Sequence, residues 1–267
     1  MMVKLAISGI TGRMGRAVAE LALNDPTVRV VGGLVRPSRV PDVCHPVPPG
    51  VPVSSDPALL LSAADVLIDF TAPQLTLQYA RACADNHCAI VTGTTGLTRD
   101  QVDELRRLAA YIPVLQANNF SLGIAVLLLF LPALARALPD WDVEIIEHHH
   151  RDKRDAPSGT ALLLAESIRS TQHRGIGETV FGRRGMAPRQ KGEIGIHAVR
   201  AGGEIGCHQV LFGSQDEMLS LSHRVHSRRA YAAGALAAAK RLAGRAPGWY
   251  RLDQLLYDSL GQLAPRT

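Results

Sequence analysis

The stretch Val3–Leu23, VKLAISGITGRMGRAVAELAL, decides the fold. Val3–Ser8 is a short β-prone run that stops at Gly9, and Ala17, Val18, Leu21 and Ala22 then recur at helical spacing. Between the two stand Gly9, Gly12 and Gly15. Strand, glycine turn, helix is the setting in which such glycines serve a pyrophosphate. The first permits a tight turn, the next let backbone N–H groups approach the anion, and the helix N-terminus adds positive potential. The spacing is G-x-x-G-x-x-G rather than G-x-G-x-x-G. The flanking strand and helix, more than the glycines themselves, therefore set this motif above a plain turn.

Working outward, a second strand over Val28–Val35 follows at the distance of a βαβ unit. In NAD-preferring proteins its end carries an acidic residue for the ribose 2′-hydroxyl; here Leu34 and Val35 lead to Arg36. An arginine without a carboxylate suits the 2′-phosphate of NADP, the alternative being a solvated loop residue. Alternation continues with a strand over Ala64–Thr71, a helix in QLTLQYARACADN, a strand over Cys88–Gly96, a helix in TRDQVDELRRLAAY capped by Thr98, and a strand over Ile112–Phe120. Parallel strands present ligands at their C-terminal ends, where Thr71, Gly93-Thr94-Thr95 and Ala117-Asn118-Asn119-Phe120 fall. The expectation is an α/β chain: a Rossmann-like doubly wound parallel sheet over residues 1–121.

After residue 120 the texture changes. The apolar run from Leu122 to Ala135 reads as a buried helix, Trp141–Glu147 as a strand and ALLLAESIRS as a helix. Then come four β-like runs, ETVFG, EIGIHAVRAG, GCHQVLFG and EMLSLSHRV, mostly antiparallel-looking. This predicts a smaller α+β module over 122–228 with one sheet face covered. An alanine-rich helix in YAAGALAAAKRLAG and a segment DQLLYDSL are expected to pack residues 229–267 back on the first domain.

The net charge of +5 favours anionic partners. The basic residues are scattered, however, and aromatics make up only 4%, too few to stack bases, which speaks against nucleic acid and for a small anion. The apolar run at 122–135 is too short to span a bilayer. The N-terminus runs straight into a strand, and Cys44, Cys83, Cys88 and Cys207 form no C-x-x-C pair, so the expectation is a cytoplasmic protein with reduced thiols.

One loop carries the chemistry: EHHHRDKRDAPSGT, Glu147–Thr160. If the strand persists through His150, His148 and His150 point to one face while Glu147 and His149 point to the other. That splits the candidate metal ligands, and no H-E-x-x-H or cysteine pair supplies more, so no metal is expected. A solvated polar loop is the second reading. The third is a proton-transfer and anion site, with a histidine as general acid, Lys153 as second donor and cation, and Pro157-Ser158-Gly159-Thr160 opening a helix whose N–H groups receive a carboxylate.

Taken together, GITGRMG, IDFT, GTTG, ANNFSLG and EHHHRDKRDAPSGTA resemble the dihydrodipicolinate reductase family of the lysine pathway, from residue 3 to about residue 260. The resemblance implies a Rossmann-like domain, a C-terminal substrate and oligomerisation domain, a homotetramer, and reduction of a small cyclic dicarboxylate by NADPH or NADH. It makes His149 the catalytic acid and Lys153 a second donor that also meets substrate, with His150, Ser158, Gly159 and Thr160 binding substrate. Gly9, Ile10, Thr11, Gly12, Arg13 and Met14, Gly93, Thr94 and Thr95, and Ala117, Asn118, Asn119 and Phe120 would touch the cofactor, together with Arg36. Two departures stand out: Val35 where many members are acidic, and His148 before the histidine pair, which receives no role. Another two-domain dehydrogenase of a small acid and a non-catalytic NADP sensor are the competing readings; neither needs the His-His-x-x-Lys pattern.

Overall fold

The computed structural model describes residues 2–36, 47, 49–171 and 178–260, the last three by backbone alone; Cys44 lies outside the described residues. The chain divides into two units, Met1–Leu122 with Arg229–Thr267, and Gly123–Arg228.

Unit 1 is built on a seven-stranded, wholly parallel sheet: β1 (Val3–Ser8), β2 (Val28–Leu34), β3 (Val53–Ser54), β4 (Val66–Asp69), β5 (Ala89–Thr92), β6 (Pro113–Gln116) and β12 (Gly248–Tyr250). The order is β12-β6-β5-β4-β1-β2-β3. The chain runs outward from β1 to β3, then crosses back to β4 and on to β6. The direction reverses between β1 and β4, and the C-terminal ends of those strands open the crevice of a doubly wound sheet. β4 and β5 are buried throughout, as strands covered on both faces must be. Helix α1 (Arg13–Leu23) packs on α7 (Arg229–Leu242). α2 (Pro57–Leu61), α3 (Pro73–Asp85) and α4 (Arg99–Leu108) share a core with Leu67, Ile90 and Val114. α4 starts where Thr98 and Gln101 form a reciprocal capping box. α8 (Leu252–Leu260) follows β12 and packs on α7.

Three of these strands stop earlier than their apolar runs suggest. The ladders end at Asp69, Thr92 and Gln116 rather than Thr71, Gly96 and Phe120. The residues beyond leave the sheet to form the loops around the crevice. β3, α2 and β12 escape a reading by periodicity because each is five residues or fewer.

Unit 2 holds α5 (Leu122–Ala137), β7 (Asp142–His149), α6 (Gly159–Arg169), β8 (Thr179–Phe181), β9 (Ile194–Arg200), β10 (Cys207–Gly213) and β11 (Met218–Arg224). Its sheet runs β11-β10-β7-β9-β8. It is mixed rather than mostly antiparallel: β10 pairs antiparallel with β7 and β11, but β7–β9 and β8–β9 are parallel. Helix α6 carries the chain back between β7 and β8, and residues 182–193 carry it back again between β8 and β9, so that all three strands run the same way. On one face Ile124 and Leu131 of α5 and Leu164 and Ile168 of α6 pack on Val143, Ile145, Ile196, Val210 and Phe212. On the other, the register places Ile146, Val199, Leu211 and Met218, of which Val199 and Met218 are exposed.

Candidate active site

In unit 1 the glycine turn behaves as its sequence suggests. Gly9 has φ +68°, and a Cβ there would stand 2.7 Å from the Phe70 carbonyl oxygen. Gly12 donates its N–H to the Gly9 carbonyl at 2.8 Å. A Cβ on Gly15 would strike that same carbonyl, so α1 starts flush against the turn. Gly12 is the N-cap of α1, with no capping side chain and no acidic residue in the first turn. The positive end of an eleven-residue helix is thus left open for an anion. A cavity of about 270 Å³ adjoins it, lined by Gly9, Thr11 and Gly12, by Leu34, Val35 and Arg36, and by Phe70, Thr71 and Tyr79 among others. Arg36 is exposed there and has no acidic partner among the described residues.

Beneath this crevice lies a group that sequence reasoning passed over, inside the strand read as ending at Thr71. The carboxylate of Asp69 is fully buried. Its Oδ1 accepts hydrogen bonds from the hydroxyls of Ser8 and Thr71, both at 2.6 Å. Its Oδ2 accepts from Thr76 at 2.6 Å, Thr92 at 2.8 Å and Thr94 at 2.9 Å. These donors come from β1, β5, α3 and two loops, so one anion ties together several of the elements that border the crevice. Thr94 also accepts the Thr71 N–H at 3.1 Å, which leaves its hydroxyl committed to the scaffold. Ile10 and Phe120 are buried too, Phe120 edge-on to Phe70 at 5.8 Å. Arg13 is exposed and Thr11 and Met14 half-buried, while Ala117 and Asn119 are half-buried and Thr95 and Asn118 exposed, at the same strand ends.

In unit 2 the alternation of β7 sends Glu147 and His149 inward, as the strand period requires, and His148 to the other face, where its Nε2 meets the Ala201 carbonyl at 3.2 Å. His149 Nδ1 lies 2.6 Å from Glu147 Oε2. Glu147 is fully buried yet saturated: Arg200 reaches Oε2 with Nη1 at 2.8 Å and Oε1 with Nη2 at 2.6 Å, and the Ser158 N–H reaches Oε1 at 2.9 Å. Burial pushes its carboxyl pKa up, but Arg200, His149 and Ser158 outweigh burial and hold it below the ordinary 4.5. His149 is held below 6.5, first by burial and then by the charges of Lys153 and Arg200, against the upward pull of Glu147. With Nδ1–H directed at the carboxylate, Nε2 is the working nitrogen.

Ser158 caps α6, its hydroxyl accepting the Ala161 N–H at 3.1 Å, and exposed Gly159 opens the helix. Lys153 pairs with Asp155 at 2.8 Å and lies one short turn from His150, whose carbonyl accepts its N–H at 3.2 Å. The loop therefore assembles a histidine, a lysine and a helix N-terminus. Sequence reasoning placed Glu147 on the right face but missed Arg200 and His208. Arg200 stands opposite His149 in the β7–β9 register and His208 opposite Glu147 in β7–β10, signals that exist only once the strands are paired. Among the described residues no three His, Cys, Asp or Glu side chains converge as a metal site, and no helix is long and apolar enough to cross a membrane.

With this geometry in hand, comparison with known proteins is informative. Family models described as dihydrodipicolinate reductase, N-terminus and C-terminus, match residues 3–120 and 123–256. The chain is 51% identical over 257 residues to a 4-hydroxy-tetrahydrodipicolinate reductase of Thermomicrobium roseum, covering 96% of this chain and 100% of that one. It is 40% identical over 266 residues to one from Rubrobacter xylanophilus, covering 97% and 100%. A solved dipicolinate-bound dihydrodipicolinate reductase from Paenisporosarcina sp. TG-14 superposes with a TM-score of 0.80 at 28% identity, over 95% of this chain and 99% of that one. An amine dehydrogenase from Mycobacterium smegmatis, at TM-score 0.64, 14% identity and 94% and 95% coverage, shares the fold alone.

Proposed function

The chain belongs to the dihydrodipicolinate reductase family, and from that membership we propose how it divides its work. It is an NAD(P)H-dependent oxidoreductase that reduces 4-hydroxy-tetrahydrodipicolinate to tetrahydrodipicolinate in the diaminopimelate and lysine pathway. The net change is one hydride and one proton gained and one water lost. Residues 1–121 with 229–267 hold the cofactor, and residues 122–228 hold the substrate and the assembly surface.

The observation that carries the proton-donor role is the Glu147–His149 pair beside the start of α6. Glu147 fixes the ring and its tautomer, leaving Nε2 to give the proton. His149 rests mostly neutral at pH 7, because its pKa is lowered. A dicarboxylate arriving beside it favours the imidazolium, so the substrate recruits its own acid. Lys153 is a second donor and holds one carboxylate, which His150, Gly159 and Thr160 receive at the first turn of α6, while Ser158, its N–H and hydroxyl already engaged, sets that turn without touching substrate.

The open N-terminus of α1 and the glycine clearances fit a nicotinamide dinucleotide. When bound in its reduced form it supplies the hydride. Gly9 to Met14 would hold its pyrophosphate, and the loops at Gly93–Thr95 and Ala117–Phe120 its nicotinamide end. Arg36, unopposed by any carboxylate at Leu34 or Val35, reads the adenosine 2′-phosphate. Both NADPH and NADH serve, NADPH binding more tightly. The face of the second sheet that carries Ile146, Val199, Leu211 and Met218 suits burial in a homotetramer, which light scattering tests directly. The free thiols Cys83, Cys88 and Cys207 suit the cytoplasm.

Oxidation of NADPH in the presence of substrate generated by dihydrodipicolinate synthase tests the whole reading. Turnover is expected. Tight NADPH binding without turnover would leave the sensor reading standing instead.

A further inference from the structure

His208 adjoins this site without a role in the hydride or proton transfer. It lies on β10, is 3% exposed, and stands between Glu147 of β7 and His223 of β11 in the strand register. Its Nε2 is 2.9 Å from the Ser158 hydroxyl, and its ring lies edge-on to that of His149, centroids 5.2 Å apart at 75°. Its Nδ1 is buried without a hydrogen-bond partner in the structure.

Counting protons decides how this contact works. Ser158 already accepts the Ala161 N–H, and its own N–H goes to Glu147. If His208 carried its proton on Nε2 and donated it, the serine hydroxyl proton and the bare Nδ1 would both be left without partners in a buried place. If Nε2 is bare and accepts the serine proton, only Nδ1–H is unsatisfied. Each unsatisfied buried group is costly, so the second arrangement wins. The surroundings keep the ring neutral: burial first, then the nearby His149, and also His223 and Lys153, outweigh Glu147 and bring its pKa down to about 4.

Resting on the reductase reading, we propose that His208 is a positioning residue for substrate. As the neutral Nδ1–H tautomer it takes the Ser158 hydroxyl proton on Nε2 and so fixes the N-cap of α6, aiming the first N–H groups of that helix at a substrate carboxylate. It touches neither the reacting atoms nor the cofactor.

Two measurements test this. In the holoenzyme with NADPH, long-range ¹H–¹⁵N correlation of labelled histidines at neutral pH should show His208 protonated on Nδ1 alone. A ring protonated on Nε2, or a doubly protonated one, would overturn the proposal. In kinetics, His208→Leu should raise the substrate KM about 3- to 10-fold, the worth of one neutral hydrogen bond. It should leave kcat within about twofold and cofactor affinity unchanged, and His208→Gln, whose amide oxygen can still accept the serine proton, should restore most of the loss. Dipicolinate affinity, measured by calorimetry, should follow the same order. An unchanged KM in a folded Leu variant, or a fall in kcat with a displaced pH profile, would sink the idea. Failure of the wild-type protein to turn over substrate would instead count against the reductase reading, and the tautomer measurement stands apart from it.

Discussion

Asp69 in unit 1 and Glu147 in unit 2 are both fully buried carboxylates, yet they are held in opposite ways. Asp69 is surrounded by five hydroxyls and no cation; Glu147 is gripped by a guanidinium, an imidazole and a backbone N–H. Hydroxyl donors are neutral and can turn, so the Asp69 hub organises loops. Glu147 is coupled to groups that carry charge, so whatever alters its charge alters the acidity of His149. On the proposed reading, one carboxylate is scaffolding for a cofactor and the other is part of the proton chemistry.

The largest test of that contrast is His149→Gln. Loss of a general acid lowers rates about 10²–10⁴-fold, and kcat should fall within that range while NADPH affinity, measured by fluorescence, stays put. Wild-type-like turnover would remove His149 from the mechanism. In the native enzyme kcat/KM should decline as pH rises through a value below 6.5, the direction in which burial moves free His149.

Glu147→Gln comes next. It strands Arg200 half-buried without its carboxylate, which costs about 3–5 kcal/mol in denaturant unfolding. It also removes the group that raises the His149 pKa, so the decline in kcat/KM should move to lower pH. Because the folded-state pKa of Glu147 lies below 4.5, its stabilisation is present above that pH and is lost as pH falls through the folded value. The variant should lose this acid-side dependence.

Asp69→Asn should cost less, about 1.5–3 kcal/mol, because the hydroxyls can reorient toward an amide and no buried cation is orphaned. NADPH should bind more weakly with the pH profile unmoved; a displaced profile would erase the distinction between the two carboxylates. Arg36→Ala is the smallest, lowering NADPH affinity about tenfold and leaving NADH nearly untouched. Equal losses for both cofactors would mean that Arg36 stacks on adenine instead.

How much of this was legible beforehand follows the range of the interactions. Gly9, Gly12 and Gly15 announce the crevice because their constraint is local, and the capping role of Thr98 is readable from Gln101 three residues on. The alternation of β7 is local too, and it placed Glu147 with His149. What escaped is what pairing creates. Arg200 lies 53 residues from Glu147, and His208 lies 50 from Ser158. The hydroxyls around Asp69 span from Ser8 to Thr94, and nothing in a single strand says that five of them share one anion. The mixed sheet was misjudged for the same reason, since strand direction depends on where α6 and residues 182–193 deliver the chain.

The discontinuity of unit 1 sets an order of events at the ribosome. Strands β1 to β6 emerge first, but α7, which covers α1 and meets β4, β5 and β6, is encoded after residue 228. Unit 2 lies whole between them, and its residues 123–228 take roughly 5–20 s to synthesise at about 5–20 residues per second. During that interval the nascent chain carries an unfinished nucleotide fold with the α1 face bare, while the later unit can already close. Gly234 makes the final step exacting: any side chain there would strike the Phe120 carbonyl, and α7 would be held off the sheet it arrives last to cover.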